Sequence, residues 1–278
     1  ISEYNNGYLK KRTQYNENGG INSVSECNEK GQEIKYTRYN ADGSISWYDL
    51  YERDSNGNMI KLSSYEADGS ISFWQVYEYD ANGNNIKMTV YRKDGKIGSI
   101  YEYEYNSNQK IKSTEYYPDG SLKNVIEYGS NQIKIKESDY SQGGILYSVT
   151  EYSATGKKAK VTYYGASDST GVKPVVNEYD DSEKLIKSTQ YNSDGSIDYW
   201  YIYEYSENSM TQTEFRADGT PRDEWVYEYD ASGRTVKSSN YSYYSDGTRH
   251  LGFWTEYAYD AVGNEIKHTT YWVEYNTY

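Results

Sequence analysis

The stretch YEYDANGNNIKMTVYRKDGKI, Tyr77–Ile97, decides the fold. Two turn signals, Asn82-Gly83 and Asp94-Gly95, stand a dozen residues apart and the residues between them alternate. Gly, Asn and Asp tolerate the positive φ of tight hairpin turns, so such pairs between alternating segments are the strongest short hairpin signal. Two turns per unit give two strands per unit.

The unit recurs almost from end to end. One turn series runs through Asn18-Gly19, Asp42-Gly43, Asp68-Gly69, Asp94-Gly95, Asp119-Gly120, Gly143-Gly144, Asp194-Gly195, Asp218-Gly219 and Asp246-Gly247, with a looser loop around Gly171; neighbouring glycines are 24 to 28 residues apart. A second series interleaves at Asn6-Gly7, Lys30-Gly31, Asn56-Gly57, Asn82-Gly83, Thr155-Gly156, Ser232-Gly233 and Val262-Gly263, with degenerate members near Asn108, Asn131, Glu183 and Asn208. The segments between turns have the length of ordinary strands, are rich in Tyr, Ile, Val and Thr, and nearly lack proline. The expectation is an all-β chain, a single array spanning 1–278. It holds roughly 10 units, as an antiparallel hairpin meander of about 20 strands without a helix.

Register decides which side chains share a face. A two-residue loop at Asn82-Gly83 sets Glu78 opposite Lys87, Tyr79 opposite Ile86 and Tyr77 opposite Met88. With Asp68-Gly69 treated alike, Ile71, Phe73, Tyr77 and Tyr79 join Ile60, Leu62, Ile86 and Met88 on one face. Glu78, Lys87, Thr89, Trp74 and Tyr91 take the other. A three-residue loop with a Gly bulge is the competing register, and YPDGS at Tyr117–Ser121 suits it, because Pro favours the first corner of a type I turn. A long meander twists, and sheets of more than about ten strands curl, split or close. The expected outcome is a spiral or partial β-shell with the Ile/Tyr/Phe face inward.

Composition bounds the function. The 278 residues include 38 Tyr, 6 Trp, 23 Gly and only 3 Pro, with a mean hydropathy of -1.03. Low hydropathy with regularly placed aromatics reads as order, since disordered chains lack them. A net charge of -13 repels phosphate backbones and anionic membranes, so nucleic acid is not expected as a partner. No apolar run approaches the roughly 20 residues of a membrane helix, and no membrane insertion is expected. Cys27 stands alone in a Tyr position and offers no disulfide or thiolate cluster within one chain. The chain begins at Ile1 without a signal peptide and ends mid-unit, which suggests a piece of a longer protein. Its terminal segments, Ile1–Tyr15 and Trp272–Tyr278, read as interrupted units that could pair end to end.

YEYDANGNNIK, echoed as YEYDASGRTVK at Tyr227–Lys237 and YAYDAVGNEIK at Tyr257–Lys267, resembles the YD repeat of bacterial RHS and teneurin-type proteins. The resemblance covers essentially the whole chain, and YYPDGSLK also resembles MORN-type repeats. It implies a spiralling β-shell on secreted or surface proteins, sometimes enclosing a toxin. The usual Gly-Arg survives only at Gly233-Arg234, and neither a self-cleaving core nor a toxin-like domain is present.

Catalysis finds few candidates. His250 and His268 sit in repeat strands or turn edges, and no HExxH, GxSxG, P-loop or CxxC pattern occurs. The acids recur at fixed positions, Asp in turns and Glu in YEY, which turn geometry and cross-strand pairing explain better than a carboxylate-pair glycosidase. No single turn supplies the oxygens calcium needs. No catalytic residue, metal site or cofactor is therefore expected.

The aromatics offer more. Tyr48, Trp74, Trp200 and Trp254 occupy one repeat position, each directly after another aromatic, respectively Trp47, Phe73, Tyr199 and Phe253. In the two-residue register they face outward near the strand-end tyrosines Tyr65, Tyr91, Tyr191 and Tyr241. Such a ladder suits stacking on sugars or anchoring a host or cell-surface protein; it also stabilises a sheet by itself. The expected function is a non-catalytic scaffold or recognition module, extracellular or on a bacterial cell surface, that adjoins other parts of the same long polypeptide. A shell segment of an RHS-type toxin-delivery protein and a carbohydrate-active enzyme are the alternatives.

Overall fold

The structure, a computed structural model, describes residues 1–165 and 173–273; the Gly171 loop lies outside them. Among the described residues it holds strands throughout and one 3-10 turn at Ser130–Gln132. The chain divides into two compact units, residues 1–134 with 139–145, and residues 135–138 with 146–278.

The first unit contains β1 (Ser2–Asn5), β2 (Tyr8–Tyr15), β3 (Ile21–Cys27), β4 (Glu33–Tyr39), β5 (Ile45–Arg53) and β6 (Met59–Glu66). It continues with β7 (Ile71–Tyr79), β8 (Asn85–Arg92), β9 (Ile97–Asn106), β10 (Gln109–Tyr116) and β11 (Leu122–Tyr128). β12 (Lys134–Ser141) gives residues to both units. The second unit has β13 (Ile145–Tyr152), β14 (Lys158–Tyr163), β15 (Val175–Tyr179), β16 (Leu185–Tyr191) and β17 (Ile197–Tyr205). β18 (Ser209–Arg216), β19 (Pro221–Tyr229), β20 (Thr235–Tyr243), β21 (Arg249–Tyr259) and β22 (Glu265–Trp272) follow.

Within each unit every strand pairs antiparallel with its sequence neighbours, from β1 to β11 and from β13 to β22. Among the described residues the meander is open, and no first-to-last pairing closes a unit into a barrel. Among the described residues, substantial contacts run between consecutive strands, and large side chains such as Trp47 and Phe73 stay exposed on the face of the sheet.

That arrangement dictates what is buried. The buried apolar residues are Val24, Cys27, Val149 and Val161. The rest of the buried set is mostly hydroxyl residues, including Thr13, Thr37, Ser63, Thr89 and Thr114 in the first unit and Thr162, Thr189, Thr213 and Ser239 in the second. Each stands near the middle of an even-numbered strand between taller side chains, where a short residue disappears without a second layer. Phe73 and Ile60, expected on an inward face, keep 36% and 37% of their surface exposed.

The register is the expected one, reached by a different turn. Glu78 faces Lys87 and Tyr77 faces Met88, but Tyr79 faces Asn85 and not Ile86. Asp80 and Asn84 close a three-residue loop, with Asp80 N donating to the Asn84 carbonyl at 2.9 Å and Gly83 N to the Asp80 carbonyl at 3.1 Å. Gly83, at φ 83, is the left-handed corner of a Gly-bulge turn. A second bulge, at Ile86, then shifts the pairing by one residue and restores the two-residue register beyond it. The Asp68-Gly69, Asp94-Gly95 and Pro118 turns repeat both steps. Two-residue turns do occur, at Asn6-Gly7 and Ser107-Asn108, where both residues have positive φ. Ile60 and Ile86, assigned above to an apolar face, are bulge residues without a cross-strand partner. Lys87 lies opposite Glu78, yet its ammonium contacts Glu102 at 3.1 Å.

Candidate functional site

The two kinds of turn lie at opposite edges of each sheet. At one edge Asp opens the loop: Asp80 Oδ1 accepts from the backbone of Asn82 at 2.9 Å and Asn84 at 2.8 Å, and Oδ2 accepts from Asn84 Nδ2 at 2.9 Å. At the other edge Asp stands third: Asp68 Oδ1 accepts from Ser70 N at 2.9 Å and Ser70 Oγ at 2.6 Å. These bonds hold both carboxyls below the usual range, the Asn84 side chain leading at Asp80 and the Ser70 hydroxyl at Asp68.

The Asp80 edge joins neighbouring hairpins. The bulge leaves the Met59 carbonyl outside the β6–β7 ladder, and the Tyr79 hydroxyl donates to it at 2.8 Å. Tyr205 and Tyr259 repeat this on Leu185 and Thr235 at 2.9 and 2.7 Å. Arg53 stands at the same position in its unit and donates to the Glu33 carbonyl through Nε and Nη2 at 3.3 and 3.2 Å. Cations of the preceding hairpin lie over these rings, Lys184 over Tyr205 at 5.0 Å and Arg234 over Tyr259 at 4.9 Å. Tyr79, Tyr205 and Tyr259, each at the strand end before a turn of this edge, are thus clamps between hairpins.

The Asp68 edge carries the aromatic ladder. Tyr48 of β5 stacks on Tyr65 of β6 with centroids 4.9 Å apart and planes 8° from parallel; Trp74 of β7 stacks on Tyr91 of β8 at 5.0 Å and 7°. In the second unit Trp200 stacks on Phe215 at 5.4 Å and Trp254 on Tyr271 at 4.9 Å. Each pair is directly opposed across a hairpin. The rings lean over the turn that follows: a Cβ at Gly69, Gly95 or Gly219 would stand 3.9 Å from Tyr48 Oη, Trp74 Cη2 or Trp200 Cη2. Tyr48, Trp74, Trp200 and Trp254 are half-buried.

Two of the eight ladder residues stand apart from the stacks. Tyr191 lies beyond a bulge opposite Ile197. Tyr241 lies opposite Leu251, with the Arg249 guanidinium 3.4 Å over its ring. The stacking partners missed in the sequence, Phe215 and Tyr271, follow the even-strand Thr by two residues, as Tyr91 follows Thr89. Glu224 occupies the ladder position between Trp200 and Trp254. It is buried at 8% exposure, paired with Arg249, and accepts from the Tyr243 hydroxyl at 2.7 Å.

Both histidines are engaged locally, His250 with Thr248 Oγ1 at 2.8 Å and against Tyr244, His268 with Glu265 at 2.8 Å. Tyr201 illustrates the electrostatics of the sheet: burial, followed by the nearby Glu214 carboxylate, pushes its phenol up to about 12.

No curated protein matches the chain in sequence. Among solved structures, it is similar to the TcdB2-TccC3 crystal structure at 12% identity over 96% of this chain and 18% of that one, TM-score 0.26. The Photorhabdus luminescens Tc holotoxin pore gives 11%, 96%, 18% and 0.22. A Bacteroides fragilis protein of unknown function gives 10%, 57%, 90% and 0.21. The chain spans about a fifth of the toxin chains, and scores at this level establish no shared fold. A family model described as a protein of unknown function, DUF2963, matches residues 15–62, 65–115 and 166–214, more than half of the sequence, in repeated copies. The chain belongs to that DUF2963 family.

Proposed function

We propose that the chain is a non-catalytic repeat module of YD-repeat type on a secreted or surface bacterial protein, and that its Asp68-type edge is a recognition surface for a glycan or a protein. The observation that carries the reading is the set of stacked, partly exposed aromatic pairs at that edge, Tyr48/Tyr65 with Trp74/Tyr91 in one unit and Trp200/Phe215 with Trp254/Tyr271 in the other. Large, rigid aromatics give much contact area at low entropic cost, which is why they dominate binding hot spots. The clamps at the opposite edge support the scaffold part, because Arg53, Tyr79, Tyr205 and Tyr259 each fix their hairpin to the one before. The YD-type assignment rests on the turn: Asp230 holds Arg234 of YDASGR through Nε at 2.7 Å and Nη2 at 2.6 Å, and that Arg covers the next Tyr.

The test is binding of the purified chain to a glycan array and to host surface proteins, beside a folded variant carrying Trp74→Ala, Trp200→Ala and Trp254→Ala. A specific signal that the variant loses supports recognition by the ladder. A chain that binds nothing on either panel leaves the scaffold role and removes the recognition role.

A further inference from the structure

The ladder occupies one face of the first unit; the opposite face, at the same edge, holds a cleft of about 340 Å³ lined by Trp47, Asp49, Ser64, Glu66, Ser72 and Phe73, together with Tyr65 of the ladder. Trp47 and Asp49 belong to β5, Phe73 to β7, and Ser64 of β6 lies between, opposed to Asp49 on one side and Phe73 on the other. Trp47 is opposite Glu66 and Phe73 opposite Ser64, so the aromatic walls stand two strands and two residues apart, about 12 Å of sheet. That leaves room for one puckered, non-aromatic ring in contact with both. Trp47 and Phe73 are 37% and 36% exposed, and Tyr36 braces Trp47 from behind at 5.4 Å between ring centroids. Ser64, only 8% exposed, keeps the floor low.

Asp49 gives the slot its chemistry. Its Oδ1 is buried and accepts no hydrogen bond from the protein. A buried acceptor without a donor costs free energy, so such an atom calls for a ligand that supplies one. The neighbouring Tyr51 phenol, pushed up to about 12 by burial and then by the Asp49 charge, stays protonated beside it. Repetition cannot account for Asp49: the same position holds Gln75, Tyr101, Asn124, Ser148, Tyr201, Trp225 and Thr255 in other units, none of them acidic. Nor does repetition pair the walls elsewhere, since the Phe73 position is Ser99 in the next unit and Asp223 after Tyr199.

We infer that this slot binds one pyranose ring of a saccharide, its C–H faces against Trp47 and Phe73 and its hydroxyls donating to the Asp49 carboxylate. The inference rests on the recognition reading but places the site on the other face from the ladder. Aromatic walls supply apolar contact, and the few polar groups at the floor fix orientation, the usual division of labour in a small-molecule site.

The experiment uses the purified chain on immobilised gluco-, galacto- and manno-configured oligosaccharides, followed by calorimetric titration of the strongest binder. Trp47→Ala and Phe73→Ala are each expected to weaken binding at least about tenfold, as hot-spot truncations do. Asp49→Asn weakens it too, without lowering the urea midpoint, because the amide keeps an acceptor beside Tyr51 and removes no protein hydrogen bond to Oδ1. A merely structural Asp49 would move the midpoint and leave the affinity alone. The triple variant Trp74→Ala, Trp200→Ala, Trp254→Ala keeps parental affinity. Parental binding by Trp47→Ala and Asp49→Asn, with loss in the triple variant, overturns the slot and leaves the ladder standing. A parent chain that binds no saccharide overturns the slot, while a protein partner lost in the triple variant would still uphold the ladder.

Discussion

At the edge formed by Asp80-type turns, Tyr79 reaches back to the Met59 carbonyl of the preceding hairpin at 2.8 Å; at the edge formed by Asp68-type turns, Asp68 spends its hydrogen bonds on Ser70 within its own loop. The turn backbones are the same, a three-residue loop with a left-handed glycine and a compensating bulge. The difference lies in where the Asp stands and what the flanking aromatic does. A Tyr one residue before the turn becomes a clamp, whereas an aromatic at the far end of the same strand stacks on its neighbour and remains half-exposed. One backbone device therefore serves cohesion at one edge and display at the other.

The comparison breaks first if the turns are not equivalent. Gly83→Val and Gly95→Val place a β-branched residue at φ 83 and φ 82, and each is expected to cost about 2 kcal/mol in urea denaturation. Equal losses at the two edges are the expected outcome; a large loss at only one would show that the shared backbone is not what holds both. Next in size is the clamp. Tyr79→Phe keeps the ring and removes the donor from Met59, with an expected loss of about 1 kcal/mol. Tyr91→Leu, which removes the ring stacked on Trp74, is expected to cost somewhat less, about 0.5–1 kcal/mol.

Acid sharpens the comparison because both kinds of Asp have lowered pKa values, Asp80 through Asn84, Asp230 through Arg234 and Asp68 through Ser70. A carboxyl whose folded pKa lies below its unfolded value stabilises the fold above the ordinary range, near pH 4, and that contribution disappears as pH falls through the lowered folded value. The thermal midpoint of the parent is expected to hold from pH 7 to about 5 and drop below 4. Asp80→Asn should flatten that drop, since the amide does not titrate. The smallest effect belongs to Ser70→Ala. It removes an exposed, local bond to Asp68 and should leave the urea midpoint unchanged.

Much of this architecture is legible in the residues. Asn-Gly and Asp-Gly pairs locate the hairpins, and alternation places Glu78 opposite Lys87 and Tyr77 opposite Met88. The turn geometry is not legible, because a three-residue loop followed by a bulge gives the same pairing as a two-residue loop. Only the residues at the bulge, Ile60 and Ile86, reveal it, and their sequence context is that of ordinary strand residues. The ladder position is visible as recurrent Tyr or Trp, and Phe215 could have been found from its place after Thr213. The role of the Tyr before the Asp was hidden, since its partner is a carbonyl freed by the unseen bulge. The Asp49 slot was missed for a related reason: the face carrying Phe73 was expected to be covered, whereas Phe73 and Trp47 stand exposed on it.

Amide hydrogen exchange of Tyr79→Phe against the parent separates a clamp from a local bond, because a clamp couples two hairpins and a local bond does not. Faster exchange is expected in the β7–β8 hairpin and also in the preceding β5–β6 hairpin, which contains Met59, with Ser70→Ala unchanged in both. Faster exchange confined to β7–β8 would contradict the clamp, and Tyr79 would then be a packing residue of its own hairpin alone.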